Sequence, residues 1–125
     1  MAGKIVADQL EHSTAGSIAT NYVVNGSAKA WVNFNGTGTI AARDSLNTSG
    51  LVDNGTGSYT VNFTNSMSTA NFTSPISSSA AVSTITSDLS YQSWKATTSC
   101  QLGHYENGSL TDQDSITLGI NGELA

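Results

Sequence analysis

In residues 28–34, A-K-A-W-V-N-F, the side chains sort into two sets with a period of two. Ala28, Ala30, Val32 and Phe34 fall on one face of an extended chain, and Lys29, Trp31 and Asn33 on the other. Residues 58–64, S-Y-T-V-N-F-T, repeat the pattern more cleanly, with Tyr59, Val61 and Phe63 opposed to Thr60, Asn62 and Thr64. A helix cannot bury a set with this period, so both stretches are read as half-buried strands. Ser115–Ile120 is a third, placing Ile116, Leu118 and Ile120 together.

Turn signals punctuate these strands. Asn35-Gly36-Thr37-Gly38 leads from the first strand into a second at Thr39–Arg43. Asn25-Gly26-Ser27 is read as a hairpin turn preceded by a short strand, Asn21–Asn25. Ser49–Val52 is a short strand, and Asp53-Asn54-Gly55-Thr56-Gly57 is the loop before Ser58–Thr64. Asn71–Ser74 is expected to start a strand that Pro75 ends or edges. Ser77-Ser78-Ser79-Ala80-Ala81 is expected to be a mobile loop, and Val82–Thr86 is weakly strand-like. Tyr91–Cys100 is read as one strand containing Trp94, with Leu102–Tyr105 continuing it or starting another. Glu106-Asn107-Gly108-Ser109 is a further turn. Short strands at near-regular spacing predict an all-β chain, an antiparallel β-sandwich or barrel of about eight to ten strands. The expected organisation is an N-terminal arm, residues 1–20, followed by a single β-domain, residues 21–125.

Composition limits what such a domain can do. Ser, Thr, Asn and Gly supply 58 of the 125 residues, yet 38% of the chain is hydrophobic and its aromatics lie in alternating runs, so the bias does not signal disorder. The net charge is −5. The basic residues are Lys4, Lys29, Arg43 and Lys95, scattered along the sequence. Nucleic acid, which requires a basic stripe to neutralise phosphates, is therefore not an expected partner. No apolar run approaches the roughly eighteen residues of a membrane span, so no membrane insertion is expected. The segment M-A-G-K-I-V-A-D-Q-L-E-H lacks the apolar core of a secretory signal. The expected origin is cytoplasmic synthesis. The seven Asn-x-Ser/Thr triplets follow from the composition and are not expected to carry glycans.

The sequence contains no convincing catalytic constellation, and the chain is expected not to be an enzyme and to need no cofactor. His12 and His104 lack neighbours at metal-ligand spacing. Cys100, the single cysteine, reads as a small buried hydrophobe. Asp112 and Asp114 form an Asp-x-Asp pair that would hold Ca²⁺ only if further oxygens converged, and a solvated turn is the simpler reading. The aromatic residues are more informative. Trp31, Trp94 and Tyr105 are candidates for a subunit interface or a glycan platform, since each joins a large apolar body to a polar handle.

Residues 29–38, K-A-W-V-N-F-N-G-T-G, with Arg43-Asp44-Ser45 and then residues 53–64, D-N-G-T-G-S-Y-T-V-N-F-T, resemble tail-fibre and related virion proteins of marine bacteriophages. Gly3-Lys4-Ile5-Val6-Ala7-Asp8 and Ser13-Thr14-Ala15-Gly16 are similar to the same group. The likeness covers somewhat more than the first half of the chain and does not extend to the rest. It implies a non-enzymatic structural component made in the host cytoplasm, carried on the virion and exposed there, assembled as a homotrimer beside other virion proteins. A host surface glycan is an expected external partner through the aromatic residues named above. The chain differs from a whole tail fibre in its size and in lacking a collagen-like, heptad or β-helical repeat. That leaves open a fibre tip and a capsid decoration protein of the phage head. A free-standing carbohydrate-binding module is the alternative of a different class.

The arm has its own logic. Ile5, Val6 and Leu10 are apolar, but a Gly- and Ser-containing segment separates them from the first β-hairpin. Burying each contributes roughly 1.5–3 kcal/mol. Ordering the arm costs on the order of 1–2 kcal/mol per residue in backbone entropy. Three side chains do not offset that cost. The arm is therefore expected to be ordered by a neighbouring subunit or another protein of the particle more than by its own domain.

Overall fold

The computed structural model describes residue 3, residues 5–79 and residues 88–125. The chain opens with a hairpin of β1 (Gln9–His12) and β2 (Gly16–Ala19), then a short helix, α1 (Thr20–Gly26). The following strands are β3 (Ala28–Asn35), β4 (Ala41–Leu46), β5 (Thr48–Asp53), β6 (Ser58–Phe63) and β7 (Ile76–Ser79). The last are β8 (Asp88–Ala96), β9 (Ser99–Glu106), β10 (Ser109–Leu110) and β11 (Ser115–Asn121). From β3 onward they form an antiparallel sandwich, with no closed barrel.

The first sheet runs β4-β3-β11-β7. In the second, β6 lies between β5 and β9, β8 covers the far side of β9, and β10 extends β9 beyond the end of β6. The alternating runs build the core as their period dictates. Ala30, Val32 and Phe34 of β3 and Ile116, Leu118 and Ile120 of β11 are buried. They join the buried Tyr59, Val61 and Phe63 of β6 and Cys100 and Leu102 of β9 in one cluster. Met67 and Phe72, from the connection between β6 and β7, complete it. Lys95 closes one margin: its Nζ donates to the Phe72 carbonyl at 2.6 Å and lies 5.2 Å from the Phe72 ring centroid.

Tyr59 ties the sheets together. Its ring meets Phe34 of the first sheet edge-on, with centroids 5.2 Å apart. Its hydroxyl lies 2.8 Å from the Gly36 carbonyl and 2.9 Å from Asp112 Oδ1, and one proton serves both acceptors. The same carboxylate oxygen accepts the Gly57 N–H at 2.6 Å. Gly36 has to be glycine, because a Cβ there would lie 2.6 Å from the Tyr59 hydroxyl and 2.9 Å from the Gln113 carbonyl.

Several expectations are corrected. Residues 21–25 are helical, not a strand. Strand β3 already has β4 on one side and β11 on the other, so an upstream segment has no edge on which to pair. Asn25-Gly26 consequently ends a helix and does not turn a hairpin. The arm does contain a hairpin, β1–β2, where only a strand or helical turn around Ile5, Val6 and Leu10 was expected. Asn71–Ser74 supplies a single bridge, Thr73 to Asn121, and Pro75 precedes a strand instead of ending one. Ser77–Ser79 belong to β7, paired with β11, while Ala80, Ala81 and the Val82–Thr86 segment lie outside the described residues. Tyr91–Cys100 divides into β8 and β9 at Thr97-Thr98. This turn has no Gly or Asn; its carbonyls are held from outside, Thr98 O by Phe63 N at 2.8 Å and Thr97 O by Met67 N at 2.8 Å. The described residues thus contain eleven strands, above the expected number.

The chain passes from the first sheet to the second between β4 and β5 through one residue, Asn47, at φ 54°. Among residues with a side chain, Asn tolerates this left-handed region best. Its side chain also fastens the connection after β6: Asn65 N donates to Asn47 Oδ1 at 2.7 Å, and Asn47 Nδ2 donates to Asn65 O at 3.1 Å. Replacing Asn47 with Ala should add left-handed strain to the lost hydrogen bonds, costing roughly 2–4 kcal/mol. Asn47→Gly loses the same bonds without the strain and should fall between wild type and Asn47→Ala in urea denaturation midpoint. Equal midpoints for the two variants would contradict this account.

Candidate functional site

Residues directly opposite one another in a sheet share a face, so the register of the second sheet shows which side chains gather outside. Leu89 of β8, Tyr105 of β9 and Leu110 of β10 form one row. Tyr91, Gly103 and Ser58 form the next. Trp94, Gln101, Thr60 and Val52 form the third. None of these positions carries a charge. Leu89, Leu110, Val52 and Trp94 are exposed, Trp94 to 53%.

A β-bulge assembles this face. Simple alternation from Tyr91 would turn Trp94 towards the core. The register between β8 and β9 shifts between Gln92 and Trp94, and the inserted residue, Ser93, brings Trp94 back to the side of Tyr91. Beyond the bulge Lys95 faces inward opposite Cys100, consistent with its contact to Phe72. Gly103 provides the other local device. A Cβ on Gly103 would lie 2.5 Å from Tyr91 Cε1, so the Tyr91 ring lies directly over bare backbone. That ring meets Tyr105 with centroids 5.4 Å apart and planes inclined by 35°. Burial raises the Tyr91 pKa first, and the hydrogen-bonded Tyr105 phenol beside it adds to the effect.

The structure therefore brings Trp94 and Tyr105 onto one face and leaves Trp31 apart. Trp31 is half-buried on the outside of the first sheet, opposite Leu46 on one side and Gly119 on the other. Tyr91, Leu89 and Leu110 belong with Trp94 and Tyr105 but were not singled out from the sequence. Only the pairing of β8 and β10 with β9 reveals them.

The polar candidates resolve differently. Asp112 is half-buried and accepts from Gly57 and Tyr59, so it is a structural acceptor and not a solvated turn carboxylate. Asp114 pairs instead with Arg43, at 2.9 Å. The two carboxylates are thus directed to different partners, and among the described residues no three His, Cys, Asp or Glu side chains converge. His104 is buried beside Ser90, its Nδ1 3.2 Å from Ser90 Oγ. His12 is exposed and accepts the Ala15 N–H in the turn between β1 and β2.

The arm residues also come together. Ile5, Val6 and Leu10 line one apolar concavity with Val23 and Val24 of α1. Ile5 is 89% exposed and Val6 83%. Ile18, Tyr22, Val23 and Val24 are exposed as well, and no described residue before Ala30 is buried.

The class defined by these features is an antiparallel β-sandwich with an uncharged aromatic sheet face and a separate apolar N-terminal module. In comparisons with known protein families, characterised proteins and solved structures, the chain matches none.

Two core groups make stability depend on pH. Burial pushes the Cys100 thiol from 9.0 up to about 11. Burial, then the hydrogen bond to Asp112 and that residue's charge, raise the Tyr59 phenol from 10.0. Both values are raised, so above pH 9 the folded chain retains protons that the unfolded chain releases. The stabilisation is complete below pH 9 and is lost as pH rises, first across the Cys100 window from 9 to about 11. The urea midpoint should hold steady at neutral pH and fall through that window, and Cys100→Ala should remove the early part of the fall. A wild-type midpoint constant to pH 11 would show that neither group is protected.

Proposed function

We propose that this chain is a non-enzymatic structural protein of a bacteriophage virion, a tail-fibre-like component exposed on the particle and assembled as a homotrimer through its N-terminal arm. The observation that carries this reading is the contrast between two parts of one chain. The sandwich buries a continuous core of its own. The arm together with α1, from Ile5 to Val24, presents seven large apolar side chains to solvent and buries none. Such a module is stabilised by covering its apolar surface, and each full burial contributes roughly 1.5–3 kcal/mol. Symmetry supplies the cover economically, because one arm–subunit contact is repeated at every interface of a closed ring. The resemblance of residues 3–8, 13–16, 29–38, 43–45 and 53–64 to phage tail-fibre and related virion proteins gives the assembly its setting.

Substituting Ile5, Val6 and Leu10 together with Ser tests the reading without disturbing the sandwich core. Wild-type protein should sediment as a trimer. The triple variant should sediment as a monomer with the same far-ultraviolet circular dichroism, and its melting temperature should no longer rise with protein concentration. On purified particles, antibody against the sandwich should decorate the wild-type virion and miss particles assembled with the variant. A wild-type chain that remains monomeric at high concentration would refute arm-mediated assembly.

A further inference from the structure

We propose that the outer face of the second sheet binds uncharged carbohydrate, with Trp94, Tyr91 and Tyr105 as the stacking surface and Gln101 and Thr60 as the hydrogen-bonding groups beside it. A pyranose ring offers a face of C–H bonds, weakly positive, and a rim of hydroxyls. The first complements the negative face of an aromatic ring, and the second requires amide or hydroxyl partners. Both kinds of group occur here in adjacent rows: Trp94 is level with Gln101 and Thr60, and Tyr91 is in the next row over Gly103.

Charge decides among the possible occupants. A nucleic acid would also stack on these rings, but it needs cations along its backbone, and none of the described positions in the three rows is cationic, on a chain of net charge −5. An acidic or basic polymer would find no counter-charge either. A second protein surface would favour a dry apolar centre. Here Ser58, Thr60 and Gln101 occupy the central strands, while the exposed Leu89, Leu110 and Val52 lie towards the margins. A polar centre flanked by the aromatic rings of β8 and β9 suits a polyhydroxylated, uncharged ligand. The rings are also held in advance. Tyr91 is lodged over Gly103 and against Tyr105, and the bulge fixes the side from which Trp94 projects, so less side-chain entropy is lost on binding. The proposal is independent of how the arm assembles the protein, and it applies equally to monomer and trimer.

Trp31→Phe leaves Trp94 as the sole tryptophan and hence a local reporter. This protein should be titrated to millimolar concentration with glucose, N-acetylglucosamine, galactose and mannose oligosaccharides, following fluorescence and heat. At least one probe should give a saturable change in both. Trp94→Ala, followed by heat alone, should abolish binding, and Tyr105→Ala should weaken it about tenfold. Trp94→Phe should restore part of the loss, and all variants should keep the wild-type circular dichroism. Absence of saturation with every probe would overturn the proposal, as would binding that survives Trp94→Ala. Dimerisation of the wild type that Trp94→Ala abolishes would overturn it too, by assigning the face to a second copy of the chain.

Discussion

The sandwich depends most on one side chain that belongs to one sheet and is satisfied by the other. Tyr59 rises from β6, packs its ring against Phe34, and delivers its hydroxyl to the turn after β3 and to the carboxylate just before β11. Hydrophobic burial alone would hold the two sheets together without fixing how they sit along one another. The Tyr59 hydroxyl adds a directional contact, and a slip of either sheet would leave it buried without a partner, at a cost greater than the gain from one such bond. Gly36 and Gly57 are the backbone accommodations that allow this close approach.

Much of this arrangement is legible in the order of residues. Strands β3, β6 and β11 follow from their alternation, since a period of two commits a half-buried segment to a sheet face. The features that were not legible share a cause: each is set by a distant partner. The turn at Thr97-Thr98 has no turn residues because Phe63 and Met67 hold its carbonyls. Asn21–Asn25 has strand composition but no free edge, and it winds into a helix. At the aromatic face, Trp94 and Tyr105 are conspicuous as residue types. Their company, however, depends on an inserted Ser93 and on which residue of β8 meets Gly103. Nothing local to either segment encodes that meeting.

The two surfaces that carry the functional reading differ in physical character. The arm is apolar, has little structure beyond one hairpin and one short helix, and lies outside both sheets of the sandwich. The aromatic face is uncharged and built across β8, β9 and β6 of a sheet with its own core behind it. A surface of the first kind gains stability when it is covered. One of the second kind is complete in itself and keeps its shape whether or not it is occupied. A chain carrying both is suited to being fixed at one place while it presents another, the division of labour that the proposed place on the outside of a particle would use.

That division has a mechanical side. Ala28, where the chain enters the sandwich from the arm, is the register partner of Asn121, where β11 ends, and Asn121 Nδ2 donates to the Gly26 carbonyl at the same corner. Tension applied between the arm and whatever follows β11 would load the pair β3–β11 at its end and open its hydrogen bonds one after another, like a zip. Tension between the arm and the outer face of the second sheet takes another route. It enters β3, crosses the core through Phe34 and Tyr59, and leaves through β6 and β9, so many contacts share the load at once. A sandwich anchored by its arm and gripped by its aromatic face would thus be pulled along its strong direction.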